Sequence, residues 1–220
     1  MITKTLIGTV VVVAACGLSA TASAGFTNED FASWHGSENS TYNSWETFSD
    51  ATGAPNWSDQ GGFAASVHNV GAPGTASITG GGNIYGFGGG LNIHTYVHAL
   101  DDVQQVQFNI SSGGTPFNWA DVALVYTTTD GGSGYLPNFG WNINHEVEDG
   151  WGGYLMNVSY SWDLSSIAGN IDAIGIFAES SEAHTSLDAV SIDVLGAVPA
   201  PGAIALLGLA GLAGRRRRRN

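Results

Sequence analysis

The chain has 220 residues, only 11% of them charged, and an isoelectric point near 4.4. All six basic residues stand at the ends (Lys4, then Arg215, Arg216, Arg217, Arg218 and Arg219), and all nineteen acidic residues fall between Glu29 and Asp193. The stretch in between has a formal charge of about −19. Nothing on it could neutralise phosphate, so nucleic acid is excluded as a partner. Cations or basic surfaces suit such a charge, and so does plain solubility outside the cell.

In chain order, residues 1–24 read as a secretory signal peptide. Lys4 is the positive start and residues 6–15 form an apolar run too short to span a bilayer. Ala22-Ser23-Ala24 is a small-residue cleavage site, which makes Gly25 the first mature residue. Val13-Ala14-Ala15-Cys16 offers a competing lipobox, in which Cys16 would be lipidated. Cys16 is the only cysteine, so the mature domain has neither disulfide nor thiolate chemistry.

Residues 25–197 form one acidic domain, long enough for a sizeable core. Apolar alternation rich in β-branched and aromatic residues predicts strands over 64–69, 75–79, 91–98, 103–110, 119–128, 138–145, 154–162, 171–177 and 185–194. Glycine-rich breaks at 80–82, 88–90, 111–114, 130–134 and 151–153 separate them, and residues 41–48 suggest a helical turn. The fold class is therefore all-β: a two-sheet sandwich, jelly roll in preference to an up-and-down barrel. Short strands followed by a further tail argue against an outer-membrane barrel.

Residues 198–220 form a separate tail. Val198-Pro199-Ala200-Pro201-Gly202 precedes a short apolar helix over 204–213 and the five arginines, which stay cytoplasmic by the positive-inside rule. This arrangement resembles the PEP-CTERM sorting signal, with Ala200 where that motif has Glu. The resemblance implies recognition by an exosortase-like enzyme, cutting near Pro199 and Pro201, and transient anchoring in the inner membrane. It also implies delivery to the cell surface, outer envelope or exopolysaccharide matrix. Trp162-Asp163-Leu164, residues 171–177 and residues 186–194 are similar to the closing strands of galactose-binding-like jelly rolls, and residues 42–56 resemble the same group. That likeness implies a fold type and, in many such domains, a structural Ca²⁺ where the first and last strands meet. Glu29, Asp30 and Asp188 are the candidate ligands here.

Other constellations are weaker. Asp101 and Asp102 are a second candidate for Ca²⁺, without EF-hand spacing. Glu146 and Glu148 share a face if they lie on a strand, as glycoside hydrolysis would need, but a polar hairpin tip before Gly150 explains them as well. His94 and His98 stand four apart, which in a strand separates them by about 13 Å, so no transition-metal site is expected. Gly-x-Ser-x-Gly is absent, and the glycine runs lack the lysine of a phosphate loop. Of seven tryptophans, Trp119 and Trp162 are expected in the core, while Trp57, Trp141 and Trp151 stand near turns where they could stack on sugar rings. The sequence thus reads as an exported, non-catalytic surface or matrix protein; the alternative is a carbohydrate-binding module for extracellular polysaccharide, ahead of a glycan-cleaving enzyme.

Overall fold

A computed structural model describes residues 29–196 apart from 62, 63, 99, 101 and 151. The signal peptide with Ala22 and Ala24, Cys16, the sorting motif, its apolar helix and the arginines all lie outside the described residues. Among the described residues no helix is long and apolar enough to cross a membrane.

The strands in order are β1 (Ser40–Trp45), β2 (Asn56–Trp57), β3 (Gln60–Gly61), β4 (Ala65–Asn69), β5 (Ala76–Ile78), β6 (Ile84–Gly86) and β7 (Asn92–His98). They continue with β8 (Val103–Gly114), β9 (Ala123–Thr128), β10 (Ser133–Pro137), β11 (Asn142–Glu148), β12 (Tyr154–Asp163), β13 (Ile171–Glu179) and β14 (Thr185–Gly196). They build two antiparallel sheets packed face to face. The larger runs β11-β12-β8-β14-β1-β3, with β6 added beside β14 and β5 beside β6; the smaller runs β10-β9-β13-β7-β4-β2. The all-β, two-sheet expectation holds.

Period-two alternation decides which side chains fill the space between the sheets. The larger sheet contributes Val106, Phe108 and Ile110 from β8, Met156, Val158, Tyr160 and Trp162 from β12, and Val190, Ile192 and Val194 from β14. The smaller sheet answers with Val67, Ile93, Val97, Leu124, Ile174 and Ile176. Two buried aromatic polar atoms find backbone partners: Tyr160 Oη donates to Trp119 O at 2.9 Å, and Trp162 Nε1 to Pro137 O at 3.2 Å. Both tryptophans expected inside are inside, although Trp119 sits on a single 3₁₀ turn (Trp119–Asp121) before β9.

Three expectations need correction. Residues 41–48 hold no helical turn: β1 spans most of them and pairs with β14 from Ser40↔Leu195 to Trp45↔Val190. The Ser111–Gly114 break is instead the last part of β8. Its backbone is paired on both sides, with β12 and β14, so its glycines need no side-chain propensity to stay extended. The 138–145 strand starts late, at Asn142, because Asn138 turns inward and donates to the carbonyls of Ala120 and Val122.

Candidate functional site

The outer face of the larger sheet is polar and divides into two halves. Over one half lies the segment from Glu29 to His35. Asn109 Nδ2 donates to Asp30 O at 3.0 Å, Gln107 Nε2 to the same oxygen at 2.5 Å, and Ser159 Oγ to Asp30 Oδ2 at 3.0 Å. Glu29 Oε1 accepts from Tyr42 Oη at 2.8 Å and Ser191 Oγ at 2.5 Å. His35 Nδ1 pairs with Asp193 Oδ1 at 2.7 Å, and the Ala32 amide donates to Asp193 Oδ2. Burial pushes the carboxyls of Glu29 and Asp193 above their usual range, against the pull of these hydrogen bonds.

The other half is open and forms a cleft of about 780 Å³. Its floor is Ser111, Ser112, Gly113 and Gly114, with Gly153 and Leu155 beside them; its walls are Tyr85, His184, Asn83, Asp188, His145 and Asp149. Asp188 sits at a register shift in β14, between Leu187 and Ala189. Its Oδ1 accepts from Ser186 Oγ at 2.7 Å and from Asn83 Nδ2, and burial raises its carboxyl above the ordinary value. Tyr85 Oη and His184 Nδ1 share a hydrogen bond at 2.8 Å. His184 has φ +71, a conformation side chains rarely adopt. It is held there by its own N–H bonding Gly86 O and its carbonyl accepting from Thr115 N.

Glu29 and Asp30 therefore lie together, but Asp188 has different partners in the open half. The structure does not gather these three carboxyls on a shared set of neighbours. Among the described residues no group of three His, Cys, Asp or Glu side chains could hold a metal ion. Asp102 adopts φ +45 with its amide on Asn170 Oδ1; Asp101 lies outside the described residues.

The outer face of the smaller sheet has the opposite character. The registers align Trp57 with Ser66, Ser66 with Tyr96, Tyr96 with Gly175, Gly175 with Val125 and Val125 with Tyr135. Paired residues point the same way, so Trp57, Tyr96 and Tyr135 stand in one row across all six strands. Trp57 is 64% and Tyr135 62% exposed. The Tyr96 ring lies over Gly175, where a Cβ would come within 3.1 Å of it. A second row brings His68, His94 and Phe177 together. His94 bonds Tyr96 Oη at 2.9 Å and packs on Phe177 with centroids 4.3 Å apart. Burial, and then the neighbouring His68, lower the pKa of His94. His98 lies further along the same face of β7, stacked beside Tyr96.

Trp57, a sequence candidate, thus joins Tyr96 and Tyr135, which sequence reasoning missed. Their outward parity within alternating strands was the available signal. Trp141 is 43% exposed but stands before β11 at the edge of the larger sheet, away from this row; Trp151 lies outside the described residues. Glu146 and Glu148 are exposed on β11, opposite Met156 and Tyr154, in a hairpin that turns at Gly150. The molecule these features define is an acidic two-sheet sandwich with a polar cleft on one outer face and an aromatic platform on the other. The chain matches no protein-family model and no curated protein.

Proposed function

We propose that the chain is an exported, non-catalytic component of the cell surface or extracellular matrix, and that its sandwich, of jelly-roll type, holds polysaccharide on the outer face of the smaller sheet. The observation that carries this reading is the row of Trp57, Tyr96 and Tyr135. Aromatic rings exposed on a sheet stack on the apolar faces of sugars, and Trp57 and Tyr135 are mostly in water, where burial gives them no part in the core. Adjacent strands lie ~4.8 Å apart, so the rings are spaced by two and three strand intervals. One interval is close to the rise of a single pyranose in an extended β-linked chain. The absence of Lys and Arg between residues 5 and 214 favours an uncharged polymer over an anionic one.

Export rests on the N-terminal signal and the tail at 198–220, processed by an exosortase-type enzyme. Mass spectrometry of the protein recovered from its native envelope tests this: the expected ends are Gly25 and a residue near Pro201, and an uncut cytosolic chain overturns it. Affinity electrophoresis tests binding. Neutral β-glucan in the gel should retard the protein and a sulfated polymer should not. Retardation that survives Trp57→Ala with Tyr135→Ala removes the platform reading.

A further inference from the structure

We propose that the cleft on the larger sheet is a second binding site, for a ligand carrying a primary ammonium group among hydroxyls, that is, an unacetylated hexosamine unit. It is a different surface from the aromatic platform and stands or falls without it.

Shape comes first. Volumes of roughly 300–1,000 Å³ are those of small-molecule pockets, and this cleft of about 780 Å³ has a floor kept bare by glycine. A Cβ on Gly113 would meet Leu155 at 3.3 Å and Asp188 Oδ2 at 3.5 Å, and one on Gly114 would collide with His184 O. Glycine at 114 thus lets the backbone of His184 approach β8 closely, which sets His184 on the wall of the cleft. His184 adds to this, since a side-chain-bearing residue held at φ +71 on the wall is the kind of strain that persists at ligand sites.

Charge comes second. Asp188 Oδ1 takes the hydrogen bonds of Ser186 and Asn83, both neutral, while Oδ2 is turned over Gly113 on the floor. A carboxylate removed from bulk water with only neutral partners is costly until a cation joins it. No Lys or Arg exists between residues 5 and 214 to do so. Asp149 on the opposite wall has the same sign. Among the described residues no group of three acids or histidines converges here, so the cleft offers a divalent ion no cage of carboxylates. An organic ammonium brings its own donors, and its neighbouring hydroxyls suit Tyr85, His184 and the serines of β8.

Position comes third. Asp188 and Gly196 bound the last stretch of β14, about 26 Å of extended strand. The cleft therefore lies at the opposite end of β14 from Gly196, the last described residue.

Isothermal titration of the mature protein with glucosamine, glucose, N-acetylglucosamine and Ca²⁺ provides the test. Glucosamine should bind at least about tenfold tighter than either neutral sugar, and Asp188→Asn should abolish that preference. Trp57→Ala with Tyr135→Ala should leave it intact, which separates failure of this site from failure of the platform. A wild-type pH series covers the case in which Asp188→Asn does not fold. The titratable groups facing the ligand are Asp188, Asp149, His145, His184 and Tyr85. Acidification neutralises the acids and charges the histidines, so glucosamine binding must weaken steadily while circular dichroism shows the sheets intact. Equal affinity for glucose and glucosamine overturns the proposal, as does Ca²⁺ binding that displaces the sugar, an unchanged Asp188→Asn variant or a flat pH series.

Discussion

The two outer faces of this sandwich invert the usual relation between polarity and burial, each in its own way. On the larger sheet polar side chains are buried: Asn109, Asn157 and Ser191 are fully covered and Asp193 nearly so. On the smaller sheet large aromatic rings are exposed. Buried polar groups persist where they are paired, and those under the Glu29–His35 segment largely pair with that segment or with each other. Their chemistry is consumed by the fold. The rings of Trp57 and Tyr135 contribute little to the fold and remain available. The difference teaches where to look for function: at the face whose composition the fold does not explain, and at the part of the polar face that no described segment covers.

The sharpest way to break this contrast is to cut the covered half. Asn109 bonds both the N–H and the carbonyl of Asp30, and also Ser191 Oγ. Asn109→Ala removes these; Asp30 O keeps Gln107, but the part-buried Asp30 N–H loses this partner, at an expected cost of about 1–3 kcal/mol. Urea denaturation measures it. A loss under about 0.5 kcal/mol would mean that the segment is decoration and that the covered face is no more structural than the open one.

Tyr96→Ala comes next, at about 1 kcal/mol, because its ring shields Gly175 and its hydroxyl meets His94. Tyr96→Phe keeps the ring and should recover most of the stability and most of the polysaccharide retention. If Tyr96→Phe loses retention as fully as Tyr96→Ala, hydrogen bonding and not stacking governs the platform.

Much of this architecture was legible in the sequence, and the failures share a cause. Strands such as β7 and β12, with one face in the core and one outside, alternate cleanly and were found. β1 was not, because Asn43 and Ser44 are both buried: one side meets the core and the other meets the covering segment. With both faces enclosed there is no polar alternation to read. The end of β8 was mistaken for a loop because its glycines are held extended by pairing on both sides, and at Gly114 by the close approach of His184 O, neither of which a local pattern carries. The platform was one-third legible: Trp57 stood out as a tryptophan near a turn, whereas Tyr96 and Tyr135 join it only through the strand order β2-β4-β7-β13-β9-β10. Pairing across strands distant in sequence is a property of topology, and local pattern does not carry it.

Acidity separates the two faces by sign. Glu29, Asp188 and Asp193 on the larger sheet have carboxyls raised above 4.5, 3.8 and 3.8, mainly by burial. The fold therefore holds their protons more tightly than the unfolded chain does. Their contribution is complete below those ordinary values and is lost as pH rises through the raised ones. His94 on the smaller sheet is lowered from 6.5. Its contribution is complete above 6.5 and is lost as pH falls through the lowered value. Lowering pH through 6.5 should cost stability through His94, and lowering it on toward 4.5 and 3.8 should regain stability through the carboxyls. His94→Gln should erase the first phase alone, and Asp193→Asn should shrink the second. Thermal melts across that range check both, and one phase that both substitutions abolish would show the faces to be coupled.

The smallest effect on stability is expected where the largest effect on binding lies. Trp57→Ala and Tyr135→Ala each remove a ring that is mostly in water and outside the core cluster, so each should shift unfolding by no more than about 0.5 kcal/mol. If the rings serve a polysaccharide, the same changes should weaken retention by about 1–3 kcal/mol per ring, as stacking of flat ligands on aromatic side chains does elsewhere. Stability and binding then move independently at these two positions and together at Tyr96, whose ring is both surface and shield. A marked loss of stability at Trp57 would instead make the smaller sheet's outer face a structural surface like its counterpart, with its aromatics retained to protect the edge strands β2 and β10.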